Sequence, residues 1–142
     1  MSIASLIAGR EQTIITCHPD QTVSDAAKLL AEKRIGALPV LEDGKVVGIF
    51  SERDLLYCIA QVGADALTKP VREVMTSPAI TITPKEQALD TLALMTRRRV
   101  RHLPVVDDGE MVAFVSIGDI VKYRIETVET EASQLRDYIQ LA

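Results

Sequence analysis

Apolar and polar positions change rhythm along the chain in an order that occurs twice. Residues 22–34, TVSDAAKLLAEKR, carry Val23, Ala26, Ala27, Leu30 and Ala31 at helical spacing. Residues 86–99, EQALDTLALMTRRR, do the same with Ala88, Leu92, Met95 and Thr96. Each helix is preceded by a short strand-like run, TIITCH (13–18) or AITIT (79–83). After each helix comes a pair of short apolar runs, ALPVLE and VVGIFS in the first case, HLPVVD and MVAFVS in the second. An Asp-Gly pair divides each pair of runs, which predicts a hairpin, because glycine tolerates the positive φ of a tight turn. A further helix begins at Ser51 and another at Ser116, the second running on through IETVETEASQLRDYIQ with a loose stripe of Ile125, Val128, Leu135 and Ile139.

Setting Pro19 over Pro84 aligns residues 16–56 with 81–121 without a gap. Thr16, Asp25, Leu29, Arg34, Leu38, Pro39, Val40, Asp43, Gly44, Val47, Ser51 and Asp54 all meet identical residues at +65. The chain is a tandem duplication. Each unit reads β-α-β-β-α, and one unit has too few strands to cover both faces of its own sheet. The expected fold is therefore mixed α/β (α+β), with two such repeats packed sheet to sheet about a pseudo-two-fold axis. The expected divisions are 8–62 for the first repeat, 63–78 for a linker with a helical turn at 70–75, 79–125 for the second repeat, and 126–142 for a C-terminal helix.

Composition narrows the function classes. In 142 residues, 47% are hydrophobic and 25% charged, an ordinary balance for a globular protein, and the net charge of -4 argues against a general nucleic-acid binder. No apolar run reaches the length needed to span a bilayer, and the N-terminus lacks the basic leader and apolar core of a secretory signal. Cys17 and Cys58 sit in apolar surroundings without CxxC spacing, so they read as reduced, buried thiols of a cytoplasmic protein. His18 and His102 have no nearby partners at metal-ligand spacing, so no metal site is expected. No nucleophile stands beside a base and no phosphate-loop fingerprint occurs, so no catalytic residues and no enzyme activity are expected.

The repeated Ser-x-x-Asp is the candidate chemistry. Ser51 and Asp54 stand where a strand passes into a helix, and Ser116 and Asp119 repeat the arrangement. A helix N-terminus presents unpaired N–H groups and partial positive charge, which suit a phosphate or another polar ligand. An aspartate one turn in can accept hydrogen bonds from the vicinal hydroxyls of a ribose. The same pattern is close to a capping box, in which serine and aspartate bond each other's backbone. The two roles can coexist.

Taken in order and twice over, the LPVL and LPVV strands, the DG turns and the GIFSERD and AFVSIGD endings resemble cystathionine-β-synthase (CBS) domains. The likeness covers about residues 8–125, and a tandem pair of such domains is a Bateman module. The resemblance implies adenosine-containing ligands, AMP first and ATP or NAD(H) as alternatives, bound in the cleft between the repeats as a regulatory signal rather than as a catalytic cofactor. It implies a homodimer paired through helices and a regulated partner protein. It also places phosphate-contacting basic residues at Arg101 and His102, where the first repeat has Gly36 and Ala37. Carried over position by position, one pocket combines Ile35, Gly36 and Ala37 with Arg101, Ser116 and Asp119. The other combines Thr76, Ser77, Val100 and His102 with Ser51, Arg53 and Asp54. Arg53 has no charged counterpart, since Gly118 stands at +65.

Two other readings compete. One is a structural interaction module with vestigial pockets, which unequal repeats would suit. The other is nucleic-acid binding through TRRRVRH, which net acidity weakens, as does the absence of aromatics from that segment. Arg97, Arg98 and Arg99 read more simply as a solvated helix end favoured by the helix dipole.

Overall fold

The computed structural model describes residues 1–10 and 12–141. The first unit holds α2 (Val23–Lys33), β1 (Ala37–Glu42), β2 (Lys45–Ser51) and α3 (Glu52–Val62), and the second holds α5 (Ala88–Arg98), β3 (His102–Asp107), β4 (Glu110–Ser116) and α6 (Ile117–Leu141). Ahead of the first unit lies a short helix, α1 (Ile3–Ile7). Between the units lie a 3₁₀ turn, Gly63–Thr68, and α4 (Val71–Val74). α4 falls within the helical turn expected at 70–75. α1 was not foreseen, and α6 crosses the expected 125/126 division without a break.

β1 and β2 form one antiparallel sheet and β3 and β4 another, and β2 lies against β4 where the two repeats meet. The two hairpins share one register, from Ala37 opposite Ser51 and His102 opposite Ser116 down to a bulge after Val40 and Val105. Their turns put both central residues at positive φ, Asp43 and Gly44 at 53° and 77°, Asp108 and Gly109 at 55° and 81°. That is the twist the Asp-Gly pair is suited to.

The strand-like runs at 13–18 and 79–83 contribute single parallel bridges instead of full strands. The Cys17 N–H donates to the Pro39 carbonyl at 3.1 Å and the Leu41 N–H donates to the Cys17 carbonyl at 2.9 Å; Ile82 repeats this with Pro104 and Val106. A turn follows at once, with the Gln21 N–H bonded back to the His18 carbonyl, so the chain leaves the sheet after one residue of pairing.

Two cores result. The first gathers Cys17, Val23, Ala26, Leu30, Leu38, Val40, Phe50 and Val71. The second gathers Ile82, Ala88, Met95, Leu103, Val105, Ala113, Val115 and Ile120, together with Ile3 and Leu6. The leading helix of each unit is therefore exchanged. α4, which enters the second unit, packs Val71 into the first core, and α1, which enters the first unit, packs into the second. The backbone bonds agree donor for donor. The Ile3 and Ala4 N–H groups donate to the Glu86 and Pro84 carbonyls at 2.8 Å each, and Val71 and Arg72 donate to Gln21 and Pro19 at 2.8 and 2.9 Å. The exchange ties the units into one body.

Both cysteines are buried and unpaired. Burial pushes the Cys17 thiol up to about 11, which keeps it protonated and unreactive. Among the described residues, no helix is long and apolar enough to cross a membrane, and no cluster of His, Cys, Asp and Glu is placed to hold a metal ion.

Candidate functional site: two unequal clefts

Two clefts open between the repeats, with about 670 and 730 Å³ of space including their open mouths. Gly36, Ala37 and His102 line both, because Gly36 and His102 approach each other where β1 and β3 begin.

The first cleft has an apolar wall of Ala37, Ile49, Ile80, Val100 and Leu103. At one end sit Ser51, Arg53 and Asp54, and Arg99 and Arg101 approach from the second repeat. Ser51 ends β2 and caps α3, and the capping box anticipated from sequence is complete. Asp54 Oδ2 accepts from the Ser51 N–H at 2.9 Å and the Ser51 hydroxyl at 3.0 Å, while the Asp54 N–H donates to Ser51 Oγ at 3.3 Å. Its other oxygen, Oδ1, accepts from the Thr76 hydroxyl at 2.9 Å. A carboxylate offers about four acceptor positions, so Asp54 is a cap with capacity left for a ligand hydroxyl. The guanidinium of Arg53 donates to the Arg99 carbonyl at 2.8 Å, and Arg101 pairs with Glu52 at 3.0 Å. Arg101 and Glu52 are both more than half exposed, so that ion pair is weak and easily exchanged for another anion.

In the second cleft, Ile35, Gly36, Ala37, Ser116 and Asp119 come together as the positional argument expected, joined by Gln12, Thr13, Ile14, Ile15, Arg34 and Phe114. Asp119 Oδ2 accepts from the Ser116 N–H at 2.8 Å, and the Asp119 N–H donates to Ser116 Oγ at 3.1 Å. Its Oδ1 faces Arg10 at 3.3 Å, an ion pair from the N-terminal segment that has no counterpart in the first cleft. His102 stacks on Phe114, with ring centroids 5.6 Å apart and planes 18° apart. Burial, then the neighbouring Arg101 charge, hold its imidazole below the ordinary histidine range, against the opposing pull of Asp119 and Glu52.

Two expected site residues stand elsewhere. Arg101 lines the first cleft, not the second, where it joins Arg53 and Arg99, while Arg34 lines the second. Ser77 lines neither; its hydroxyl donates to the Val47 carbonyl at 2.7 Å and pins the segment along β2. Sequence reasoning did not name Ile14 and Ile15 or their +65 equivalents Ala79 and Ile80, which wall opposite clefts. The repeat offset was the signal that pairs them. Gln12 and Arg10 carry no repeat signal at all.

Comparison with known proteins places this geometry. The sequence matches the CBS domain family twice, at residues 11–61 and 71–126. It is 38% identical over 129 residues to the mitochondrial CBS domain-containing protein CBSX3 of Arabidopsis thaliana, covering 87% of this chain and 63% of that protein's length. A CBS-domain containing protein from Agrobacterium tumefaciens superposes with a TM-score of 0.82 at 34% identity, over 87% of this chain and 99% of that one. CBSX2 solved in complex with AMP superposes at 0.74 with 26% identity, covering 88% and 97% of the two chains. A CBS domain pair in complex with 5′-methylthioadenosine and S-adenosyl-L-methionine superposes at 0.76 with 27% identity, covering 89% and 98%.

Proposed function

This chain belongs to the CBS-domain family, and from that premise we propose that it is a non-catalytic regulatory module that binds an adenosine-containing ligand in its first cleft. The observation that carries the proposal is the adjacency of Asp54, with acceptor capacity to spare, to an apolar wall on one side and Arg53, Arg99 and Arg101 on the other. A purine lies against Ile49, Ile80 and Val100, a ribose hydroxyl bonds Asp54, and phosphate reaches Arg53 and Arg101. AMP satisfies all three regions; ATP and NAD(H) extend further from the mouth. The relatives solved with AMP, S-adenosylmethionine and methylthioadenosine support the ligand class. Regulation requires that the ligand favour one of two states, which a partner protein then reads.

The ion pair between Arg10 and Asp119 favours a second reading for the other cleft, that of a structural pocket whose aspartate is engaged by its own chain. The two readings divide between the clefts, giving one working site per chain.

The test is calorimetric titration and thermal unfolding with AMP, ATP, NAD⁺, adenosine and S-adenosylmethionine. A ligand at about 100 times its Kd adds about 2.7 kcal/mol of stability, read as a rise of several degrees in Tm. Asp54→Asn keeps a capping group but weakens the acceptor, and is expected to cost about tenfold in affinity or more. Arg53→Ala is expected to cost more for AMP than for adenosine. No stabilisation by any of these ligands, or an Asp54→Asn variant that binds like the parent, sinks the proposal and leaves the interaction module in its place.

A further inference from the structure

α6 carries two apolar stripes. Ile117, Ile120 and Tyr123 face the second core. A second stripe of Val121, Ile125, Val128, Leu135 and Ile139 faces solvent, at 42 to 63% exposure. From residue 128 to 141 every side of the helix is exposed, so its last turns have left the body of the protein. A helical stretch that short is marginal in water without a partner. The family match ends at residue 126, so residues 128–141 lie beyond the matched repeats.

The outward stripe is spaced by alternating steps of four and three, through 121, 125, 128, 132, 135 and 139, which is the heptad rhythm of a two-stranded seam. Ile125, Ala132 and Ile139 then occupy a positions and Val121, Val128 and Leu135 occupy d positions. The flanking charged e and g positions are Lys122, Arg124, Glu129, Glu131 and Arg136. In a parallel in-register pair, Arg124 faces Glu129 of a second copy and Glu131 faces Arg136 of that copy. Both contacts occur twice by symmetry, and all are attractive. An antiparallel pair along the same seam joins only Glu129 to Arg136 and sets Glu131 against Tyr138. Exposed ion pairs are each worth at most about 1 kcal/mol, so the apolar positions supply the affinity and the charges choose the direction.

We propose that the outward face of α6, residues 121–139, docks on the same face of a second copy of this chain, in parallel and in register. Two modules held only through their bodies would leave these tails unpaired, and the experiment separates the cases. Leu135→Cys in the full chain puts two thiols opposite each other only in the parallel seam. Mild oxidation is expected to convert it to a disulfide-linked dimer, while the parent, whose Cys17 and Cys58 are buried, gives none. In sedimentation, Val128→Glu combined with Leu135→Glu is expected to raise the dimer Kd by at least about tenfold. Both sites are exposed, so the unfolding temperature of the dissociated module is expected to hold. Absence of the Leu135→Cys crosslink overturns the proposal. So does crosslinking that appears only when Ala132→Cys and Leu135→Cys chains are mixed, the antiparallel result. A double glutamate variant that associates like the parent also overturns it, by showing that the bodies alone pair.

Discussion

The free edges of β2 and β4 pose the same problem, and the two repeats close them with different groups. Ile49 and Phe114 are equivalent residues, each opposite a proline, Pro39 or Pro104, so their own N–H and C=O point away from the hairpin. At Ile49 the backbone of Thr76 supplies both partners, at 3.0 and 2.8 Å. At Phe114 the side-chain amide of Gln12 takes that place, donating to the carbonyl at 3.0 Å and accepting from the N–H at 3.5 Å. A carboxamide carries the donor and acceptor of a peptide group on a flexible stem, so it can cover an edge the main chain does not reach. The consequence reaches the clefts. Main-chain closure brings the Thr76 hydroxyl onto Asp54, whereas the segment that carries Gln12 also brings Arg10 onto Asp119. One aspartate gains a neutral, exchangeable partner and the other an ion pair.

Substitutions can break this comparison at several strengths. The largest effect is expected at Gly48. A Cβ there would stand 2.6 Å from Met75 Sδ and 2.9 Å from the Thr76 carbonyl oxygen, so Gly48→Ala forces the edge segment off β2. It is expected to cost about 1–3 kcal/mol in denaturant unfolding. The equivalent position already carries Ala113, beside an edge that the Gln12 side chain covers at Phe114; a Gly48→Ala variant as stable as the parent would contradict the contrast. Gln12→Ala comes next. It strips the partners from Phe114 and is expected to cost about 1 kcal/mol, while leaving ligand affinity in the first cleft unchanged. Equal losses in both properties would mean that the two edges are not independent.

Smaller effects sharpen the comparison. Arg10→Ala frees Asp119, and titration calorimetry of an AMP complex is expected to show a second, weaker binding event. A stoichiometry that stays at one would put the block elsewhere in the second cleft. The smallest expected effect is on pH. The folded chain favours neutral His102, chiefly through burial. Between its lowered folded pKa and the ordinary value of about 6.5, the unfolded chain binds more protons. Stability therefore rises with pH through that window, is complete above it, and falls on acidification. His102→Asn is expected to flatten the dependence of Tm on pH just below about 6.5. A parent and variant with parallel profiles would remove His102 from the acid response.

Much of this was legible along the chain. The duplication at +65 and the Asp-Gly pairs carried the hairpins and their shared register, because turn chemistry and strand alternation are local properties. Ser-x-x-Asp carried the cap at each helix start for the same reason. The strand-like runs at 13–18 and 79–83 form single bridges where the pattern predicts strands, since alternation cannot tell a full strand from one bridging residue. Within the site, Ser51, Asp54, Ser116 and Asp119 were found by repetition, while Gln12 and Arg10 were not, because their partners lie more than a hundred residues away.

The sequence by itself determined the units: their elements, their turns, and the caps that end each sheet in a helix. All of these depend on neighbours within a few residues. Tertiary structure alone decided the exchange of α1 and α4 between the cores, which runs at an offset of 68 (Ile3 against Val71) instead of 65 and so escapes the repeat alignment. It alone decided on which side of the pseudo-two-fold axis Arg101 would stand. A duplicated chain presents two nearly identical surfaces to each arriving segment, and local pattern holds no information on which one it will meet. That choice is made by the packing of Ile3, Leu6 and Val71; the clefts become unequal where Thr76 closes one sheet edge and Gln12, with Arg10 beside it, closes the other.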